Sequence, residues 1–342
     1  MFEEFHVILK AAGPDGIIRS QEEFFLGHPG FEVALKRYFL TDARQRSCLP
    51  DEDGAVSYIV EPPLDGSGIA VWLHLVRGAA DISRSKGMTV VSDGELRHIW
   101  NTGLTAAGAD SELQTAEILR NYESILDGRG LSIEANCVRT WLYCHDIDRN
   151  YAGLVKARRE YFQDHGLRAD THYIASTGIC GTPVEEGRLV QLDAYALEGP
   201  LEQRYLYART HLNPTSEYGV TFERGVRVDY AGRAHCIISG TASIDNKGQI
   251  VHPGDVQAQT RRMWENVEAL LAEGGARWSD IAQATVYLRN PSDYGLVADM
   301  FAEKLKGIPY VILHAPVCRP GWLVEMECMA IKNVQDDAFA PF

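Results

Sequence analysis

Residues 189–197 read Leu-Val-Gln-Leu-Asp-Ala-Tyr-Ala-Leu, and residues 323–331 read Leu-Val-Glu-Met-Glu-Cys-Met-Ala-Ile. Both stretches alternate with the two-residue period of a β-strand, so every second side chain shares a face. One face carries small and apolar side chains suited to packing under helices. The other carries Gln191 in the first stretch and Glu325 in the second. The chain therefore contains one strand twice, and the two copies differ at an ionisable position.

The duplication extends upstream of these strands. The same 145-residue spacing (259 − 114) relates Gln114 to Gln259, Asn121 to Asn266, Gly130 to Gly275 and Thr140 to Thr285. The spacing falls to 134 at the closing strands (325 − 191), which indicates different loops between corresponding elements. A tandem duplication of one unit, with strands and helices in the same order, predicts an α+β fold in which helices pack on one face of each mixed sheet.

Composition shifts and turn residues divide the chain into four segments. We expect an N-terminal extension of no assigned role over 1–60, a first, degenerate repeat over 61–197, a connector over 198–225 and a second repeat carrying the proposed site over 226–335. The apolar run at 69–76 is typical of a strand buried on both faces, and it should open the first repeat. The connector is rich in aromatic side chains, so we expect it to be packed rather than loose.

Net charge and composition restrict the partners. With 33 Lys+Arg against 47 Asp+Glu, the formal charge of −14 disfavours a broad nucleic-acid surface, although a few local arginines can still bind a small anion. We find no membrane-length apolar run and no targeting segment at the N-terminus, and the seven cysteines contain no Cys-x-x-Cys pair. We therefore expect a cytoplasmic protein with reduced thiols that binds neither membrane nor nucleic acid.

Several common catalytic patterns are missing. The eleven histidines show no spacing typical of metal ligands, and neither glycine-rich nucleotide motif occurs, so we expect no metal and no cofactor. The neighbours Cys144, His145 and Asp146 would point to opposite strand faces or lie in a turn, which argues against a Cys-His pair. The remaining candidate is Glu325. If its face is wet, it is an ordinary solvated carboxylate; if another part of the protein covers that face, burial would raise its pKa and make it a proton donor.

The second repeat resembles the RidA/YjgF superfamily, also known as endoribonuclease L-PSP. The resemblance rests on 238–241 (Ile-Ser-Gly-Thr), Gly254-Asp255, Gln259-Thr260, Asn266, 285–288 (Thr-Val-Tyr-Leu) and 323–327 (Leu-Val-Glu-Met-Glu). It implies chorismate-mutase-like α+β units that assemble as homo-oligomers, trimers being favoured, with ligand clefts between neighbouring sheets. Members that hydrolyse imines carry an arginine shortly after a proline, but 309–314 (Pro-Tyr-Val-Ile-Leu-His) contains none. Ordinary imine deamination is therefore not expected.

The whole chain is most similar to the chorismatases, two-domain relatives of RidA. The similar stretches are 138–143 (Val-Arg-Thr-Trp-Leu-Tyr), Tyr161-Phe162, 176–179, 213–218, 222–224, 311–314 and Arg319 ahead of 323–325. The resemblance implies cofactor-independent hydrolysis of the enol ether of chorismate, a small anionic metabolite, to pyruvate and a cyclohexadiene or hydroxybenzoate acid. The alternatives are a RidA-like enamine or imine deaminase with a relocated arginine, and a non-catalytic small-metabolite-binding protein.

This chemistry assigns roles to ten residues. Vinyl-ether hydrolysis needs a carboxylic acid to protonate the methylene carbon, and two substrate carboxylates need cationic partners. We assign Glu325 as the acid, Arg139, Arg224 and Arg319 as carboxylate anchors, Tyr143, Tyr218 and Phe222 as pocket walls, and the backbone amides of Gly240, Thr241 and Ala242 as further donors. A structural role for Arg139 stays open, because the repeat spacing places it on the helix-facing side, and Arg319 could be an exposed loop charge.

Overall fold

Three mixed β-sheets form the framework of the protein. The computed structural model describes residues 2–200, 202–334 and 338, without the side chains of Asp93 and Tyr218. Within these residues no helix is both long and apolar enough to cross a membrane.

The strands and helices are numbered along the chain. The strands are β1 Glu3–Ala11, β2 Glu32–Leu40, β3 Val56–Val60, β4 Ile69–Arg77, β5 Asp81–Ser85, β6 Met88–Asp93, β7 Leu96–Leu104, β8 Cys137–Cys144, β9 Ala175–Cys180, β10 Thr182–Pro183, β11 Val190–Glu198, β12 Gln203–Leu206, β13 Gly225–Asp229, β14 Arg233–Ala242, β15 Ile281–Leu288, β16 Tyr310–His314 and β17 Val324–Asn333. The helices are α1 Pro14–Gly27, α2 Ser111–Asp127, α3 Ile133–Asn136, α4 Ile147–Asp164, α5 Val256–Glu273 and α6 Tyr294–Lys304.

One strand order occurs in all three sheets. The N-terminal sheet contains β1-β4-β2-β3, the middle sheet contains β7-β11-β8-β9 and the C-terminal sheet contains β14-β17-β15-β16. The last two strands of each set are parallel, and a helix (α1, α2 or α5) follows the first strand. The N-terminal segment is thus a third copy of the same topology, not the extension that the sequence suggested. β4, expected to open the first repeat, instead pairs with β1 and β2 of this third copy.

The buried glutamines of the first helices confirm the tandem duplication in atomic detail. In the C-terminal unit Gln259 donates to the carbonyls of His252 and Gly321 and accepts from the amide of Leu323. Gln114 makes the corresponding bonds to the carbonyls of Gly108 and Gly187 and from the amide of Leu189. Each glutamine therefore holds its helix against the residue that precedes the closing strand.

The strand register corrects one sequence expectation. Tyr143 pairs with Gln191, and Tyr287 pairs with Glu325, so the repeats are offset by 144 residues here (287 − 143) rather than 145. A slip of one residue moves every side chain of a strand to the opposite face. Arg139 and Tyr143 therefore lie on the face away from the helices, not on the helix-facing side.

The three sheets meet through these helix-free faces. Buried polar contacts join each sheet to the next: ion pairs of Arg37 with Asp193 at 3.0 Å and of Arg139 with Glu327 at 2.7 Å, and a hydrogen bond between His235 and Glu4 at 2.8 Å. The family resemblance implied that neighbouring units cover the face of Glu325. In this protein the neighbours belong to the same chain, so a trimer of separate chains is not needed to build a covered cleft.

Candidate active site

A cavity of about 390 Å³ lies between the middle and C-terminal sheets, with α4 forming one wall. Among the residues proposed from the sequence, its lining includes Phe222, Arg224, Gly240, Ala242, Arg319 and Glu325. Arg139, Tyr143 and Thr241 do not line it, and the side chain of Tyr218 lies outside the described part of the structure. The volume falls in the range of clefts that enclose small metabolites.

Glu325 is the carboxyl group of this cavity. Its side chain projects from β17 on the helix-free face, and only 5% of the residue is exposed. Burial, assisted by the charge of Glu327, raises its pKa from 4.5 to about 8, while Arg224 and Arg139 act in the opposite direction. Because a buried carboxylate loses its hydration, the neutral acid is favoured. Glu325 is therefore protonated at neutral pH and can donate a proton.

A bulge in β14 makes room for this carboxyl group. The register of β14 against β17 shifts between Ile238 and Thr241, so two residues oppose one. A Cβ atom at Gly240 would lie 2.3 Å from Oε1 of Glu325, so any other residue here would displace the carboxyl group. The amide of Gly240 donates to Oγ1 of Thr177 at 2.9 Å. It is already engaged, which contradicts its proposed role as a ligand donor.

Two of the three proposed arginines reach the cavity. Arg224 is 4% exposed and donates to the carbonyl of Asn213 at 3.1 Å, with its guanidinium 5.5 Å from the ring centre of Phe222. Arg319 donates to the carbonyl of Gly248 at 3.3 Å and stacks on Trp322 at 4.7 Å. These contacts orient both cations on the cavity wall.

Arg139 lies on the helix-free face but does not line the cavity. It pairs with Glu327 at 2.7 Å and donates to Ser239 at 3.2 Å and to Thr177. Trp141 also donates to Glu327, at 2.8 Å. The second carboxylate of β17 is thus held by two donors, and Arg139 is its partner rather than a substrate anchor.

The sequence prediction that Tyr143 forms a wall of the pocket around Glu325 is also wrong. It is fully buried at the interface of the N-terminal and middle sheets, where the guanidinium of Arg37 lies 5.5 Å from its ring centre. Burial raises the pKa of its hydroxyl well above the usual range. Its place beside Gln191 puts it next to a different cleft, which lies between the N-terminal and middle sheets and is lined by Gln191.

Helix α4 supplies lining residues that sequence reasoning missed: Tyr151, Ala152, Val155, Lys156, Arg158 and Arg159. Arg158 is 1% exposed and its Nε donates to Oγ1 of Thr221 at 3.2 Å. The sequence feature that could have identified them is the basic run Lys-Ala-Arg-Arg at 156–159. In the sequence alone this run resembles an exposed helix face, whereas in the folded protein it lies at the cavity. The described lining thus carries five cationic side chains and one carboxyl group, an arrangement suited to an anion with more than one acidic group.

Comparison with known proteins agrees with this architecture. Residues 226–332 match the family model described as Endoribonuclease L-PSP. RutC family proteins of Pyrococcus abyssi and Pyrococcus horikoshii are 31% and 35% identical over 98 residues, which is 28% of this chain and 77% and 78% of theirs. The chain belongs to the RutC family. The resemblance to the RidA/YjgF superfamily is thereby confirmed.

A solved structure superposes on nearly all of this RutC family chain. A crystal structure titled as a chorismatase superposes with a TM-score of 0.73 at 19% identity, over 96% of this chain and 98% of that one. At this identity the match shows the fold, including the N-terminal sheet, and not the activity. The predicted α+β architecture of tandem RidA-like units is confirmed.

A second polar cluster of this RutC family chain joins the N-terminal and C-terminal sheets. Glu4, His6 and His74 place possible metal-ligand atoms within 4.8 Å of one another. However, Trp72 donates its indole N–H to Nδ1 of His6 at 3.1 Å, so the ring proton of the neutral form sits on Nε2, the atom that faces Glu4. A metal-bound histidine normally donates through its second nitrogen. With Arg233 also 3.1 Å from Glu4, the cluster suits hydrogen bonds and ion pairs better than a cation.

Proposed function

We propose that this protein is a cofactor-independent hydrolase of a small enol-ether carboxylate, similar in activity to the chorismatases. The observation that carries the proposal is Glu325, a carboxylic acid held protonated by burial in a cavity whose other charged lining residues are cationic. A protonated acid beside an anion-binding wall is the combination that vinyl-ether protonation requires. The whole-chain likeness to a structure titled as a chorismatase supports the proposal through its fold.

The reaction begins with proton transfer to carbon. Glu325 gives its proton to the terminal methylene carbon of the enol ether, and the electron pair of the C=C bond forms the new C–H bond. The positive charge is then shared between the adjacent carbon and the ether oxygen as an oxocarbenium ion. The carboxylate left on Glu325 stabilises that cation electrostatically.

Water completes the hydrolysis. It attacks the cationic carbon and returns a proton to Glu325, which gives a hemiketal. The hemiketal collapses when its hydroxyl proton is transferred to the ether oxygen and the bond from the former cationic carbon to that oxygen breaks, so that pyruvate and a ring alcohol leave. Because the acid is regenerated, no metal ion or redox partner is consumed.

The cationic wall binds the substrate carboxylates. Arg224 is nearly fully buried, so its interaction with an anion is weakly screened by solvent. Arg158 and Arg319 provide further positive charge around the same cavity. The arginine that imine-hydrolysing relatives carry after the proline is missing from 309–314, which favours the enol-ether substrate over an imine.

The direct test incubates the purified protein with chorismate and follows pyruvate with a coupled lactate dehydrogenase assay. We expect pyruvate release by the wild type and at least about a thousandfold loss in the Glu325→Gln variant, because general acid catalysis is removed. A double variant, Glu325→Gln with Gln191→Glu, should not regain activity, since its new acid lies in the other cleft. Pyruvate release unaffected by Glu325→Gln would contradict the assignment, ammonia release from an enamine without pyruvate would identify a deaminase, and neither product would indicate a binding protein.

A further inference from the structure

The cleft lined by Gln191 has the same backbone frame as the proposed active site. In the strand register, Ser57 of β3 corresponds to Thr177 of β9. Gly103, in the bulge of β7, corresponds to Gly240 in the bulge of β14. The hydrogen bonds of the two clefts can therefore be compared group by group.

The corresponding glutamine and glutamic acid differ in their hydrogen bonds. Gln191 donates its side-chain amide to Ser57 at 3.0 Å and to Asp193 at 3.3 Å. Glu325 makes no hydrogen bond within the described part of the chain. Its carboxyl group is therefore held by the groups that pack around it rather than by a hydrogen-bond partner.

The hydroxyl group of Thr177 is engaged by other residues. Its Oγ1 accepts from the amide of Gly240 at 2.9 Å and from Nη2 of Arg139, so both lone pairs of this oxygen are used. Arg139 is itself fixed by Glu327 at 2.7 Å and by Ser239 at 3.2 Å. A chain of hydrogen bonds thus runs from the buried ion pair, through the side chain of Thr177, to the bulge of β14.

The two bulges are attached to different sheets. In β7 the amide of Gly103 donates to Oδ1 of Asp193 at 2.9 Å, and Gly103 has a left-handed φ of 67°. In β14 the matching amide of Gly240 donates to Thr177, and Gly240 is not left-handed. The bulge of β7 is therefore bonded within its own sheet, whereas the bulge of β14 is bonded across the interface to the middle sheet.

The position of the β14 bulge determines the space around the acid. A Cβ atom added to Gly240 would lie 2.3 Å from Oε1 of Glu325 and 3.0 Å from Cγ2 of Thr177, so these three residues are packed together. Thr177 is 1% exposed, and its methyl group lies close to the carboxyl group. If the bulge moved away from β9, water would reach the carboxyl group and hydrate it.

We propose that Thr177 is a positioning residue for the proposed hydrolysis: its hydroxyl oxygen holds the β14 bulge against the middle sheet, and the bulge keeps water away from Glu325. The inference rests on the proposed function, since Thr177 does not line the cavity and acts only through Glu325. Exclusion of water by the bulge is consistent with the raised pKa of this carboxyl group, about 8.

The test removes one group of Thr177 at a time. Thr177→Val keeps the methyl group and the shape but removes the acceptor, whereas Thr177→Ser keeps the hydroxyl group. We expect Thr177→Val to lower kcat for pyruvate release from chorismate about tenfold to a hundredfold, because small displacements of a reacting group have effects of this size. Thr177→Ser should retain most of the activity.

Thr89→Val is the matched control. Thr89 is also 1% exposed, and its Oγ1 accepts from the amide of Ala55 at 2.7 Å between the N-terminal and middle units, far along the chain from the acid. It does not line the cavity of Glu325. The control variant loses the same kind of hydrogen bond, so it should leave kcat and the pKa of Glu325 unchanged.

The titration of Glu325 separates positioning from a general loss of structure. In Thr177→Val the carboxyl group becomes hydrated, so its pKa should move from about 8 towards 4.5, and the fall in rate should begin at a lower pH. Carbon-13 NMR of the full chain labelled at the glutamate carboxyl carbons measures this pKa without turnover, and Glu325→Gln identifies the signal.

The two readouts distinguish the inference from the proposed function. Absence of pyruvate with the wild type would contradict the function, while the NMR titration would still decide whether Thr177 positions Glu325. The inference is overturned if Thr177→Val keeps the wild-type pKa of Glu325, or if Thr89→Val lowers that pKa equally. Thr177→Ser keeps both hydrogen bonds and is expected to fold, so a pKa of Glu325 near 4.5 in this variant would also overturn the inference.

Discussion

Replacing Glu325 by glutamine should stabilise the protein while abolishing the proposed hydrolysis. The folded state raises the pKa of this carboxyl group from 4.5 to about 8, so it favours the protonated form more than the unfolded chain does. The resulting stability is fully present below pH 4.5 and is lost as the pH rises towards 8. Glutamine resembles the protonated acid and does not titrate, so the variant escapes this loss.

The size of the effect follows from the shift. Each pKa unit corresponds to about 1.36 kcal/mol, so at pH 7 the wild type has lost roughly 3 kcal/mol relative to acidic pH. Urea unfolding of both proteins at several pH values measures this directly. We expect Glu325→Gln to raise the free energy of unfolding by about 3 kcal/mol at pH 7 and by almost nothing below pH 4.5.

A reciprocal variant provides the control. Gln191→Glu places a carboxyl group beside Asp193 in the corresponding buried position, so it should destabilise the protein increasingly as the pH rises. Equal unfolding free energies for wild type and Glu325→Gln across the pH range would refute the claim that Glu325 is buried and protonated. If Glu325→Gln changed the free energy of unfolding by the same amount at acidic and at neutral pH, the change would come from packing and not from the ionisation of Glu325.

Three further predictions concern the surroundings of the acid. The hydrolytic rate should be constant through neutral pH and fall as the pH rises through about 8, where Glu325 loses its proton; a pH–rate profile measures this, and a rate that rises through that range would contradict a general-acid role. Gly240→Ala should reduce activity at least about tenfold and cost about 1–3 kcal/mol in thermal unfolding, because its methyl group would overlap Glu325, whereas Gly295→Ala, with nothing within 4 Å, should change neither by much. Arg139→Met should cost about 3–5 kcal/mol in urea unfolding, since it leaves Glu327 as a buried unpaired charge; a loss below 1 kcal/mol would show that this pair does not hold the sheets together.

The sequence predicted the closing strand and its chemistry because alternation is a local property. Glu325 and Glu327 share the helix-free face as expected, and the glutamines of the two first helices make matching bonds. Alternation shows which side chains share a face, but not what covers that face. Covering depends on contacts between distant segments, which a pattern within one strand does not contain.

Two misplacements have specific physical causes. The repeat spacing changes from 145 to 144 ahead of β8, and this single residue reverses the faces of Arg139 and Tyr143. The N-terminal copy escaped notice because its central strand carries Ala70 and Trp72 where the other copies carry polar or acidic residues, so only the strand order shows the relation.

Because all three sheets belong to one chain, a single substitution can change the residues of one cleft without changing those of another. In an assembly of identical subunits, any substitution is repeated at every interface, so all the clefts gain or lose a group together. In this protein three different codons specify the corresponding positions, and they encode Glu325, Gln191 and Ala70. A mutation that would inactivate every site of a homotrimer therefore changes one of these positions here and leaves the other two as they are.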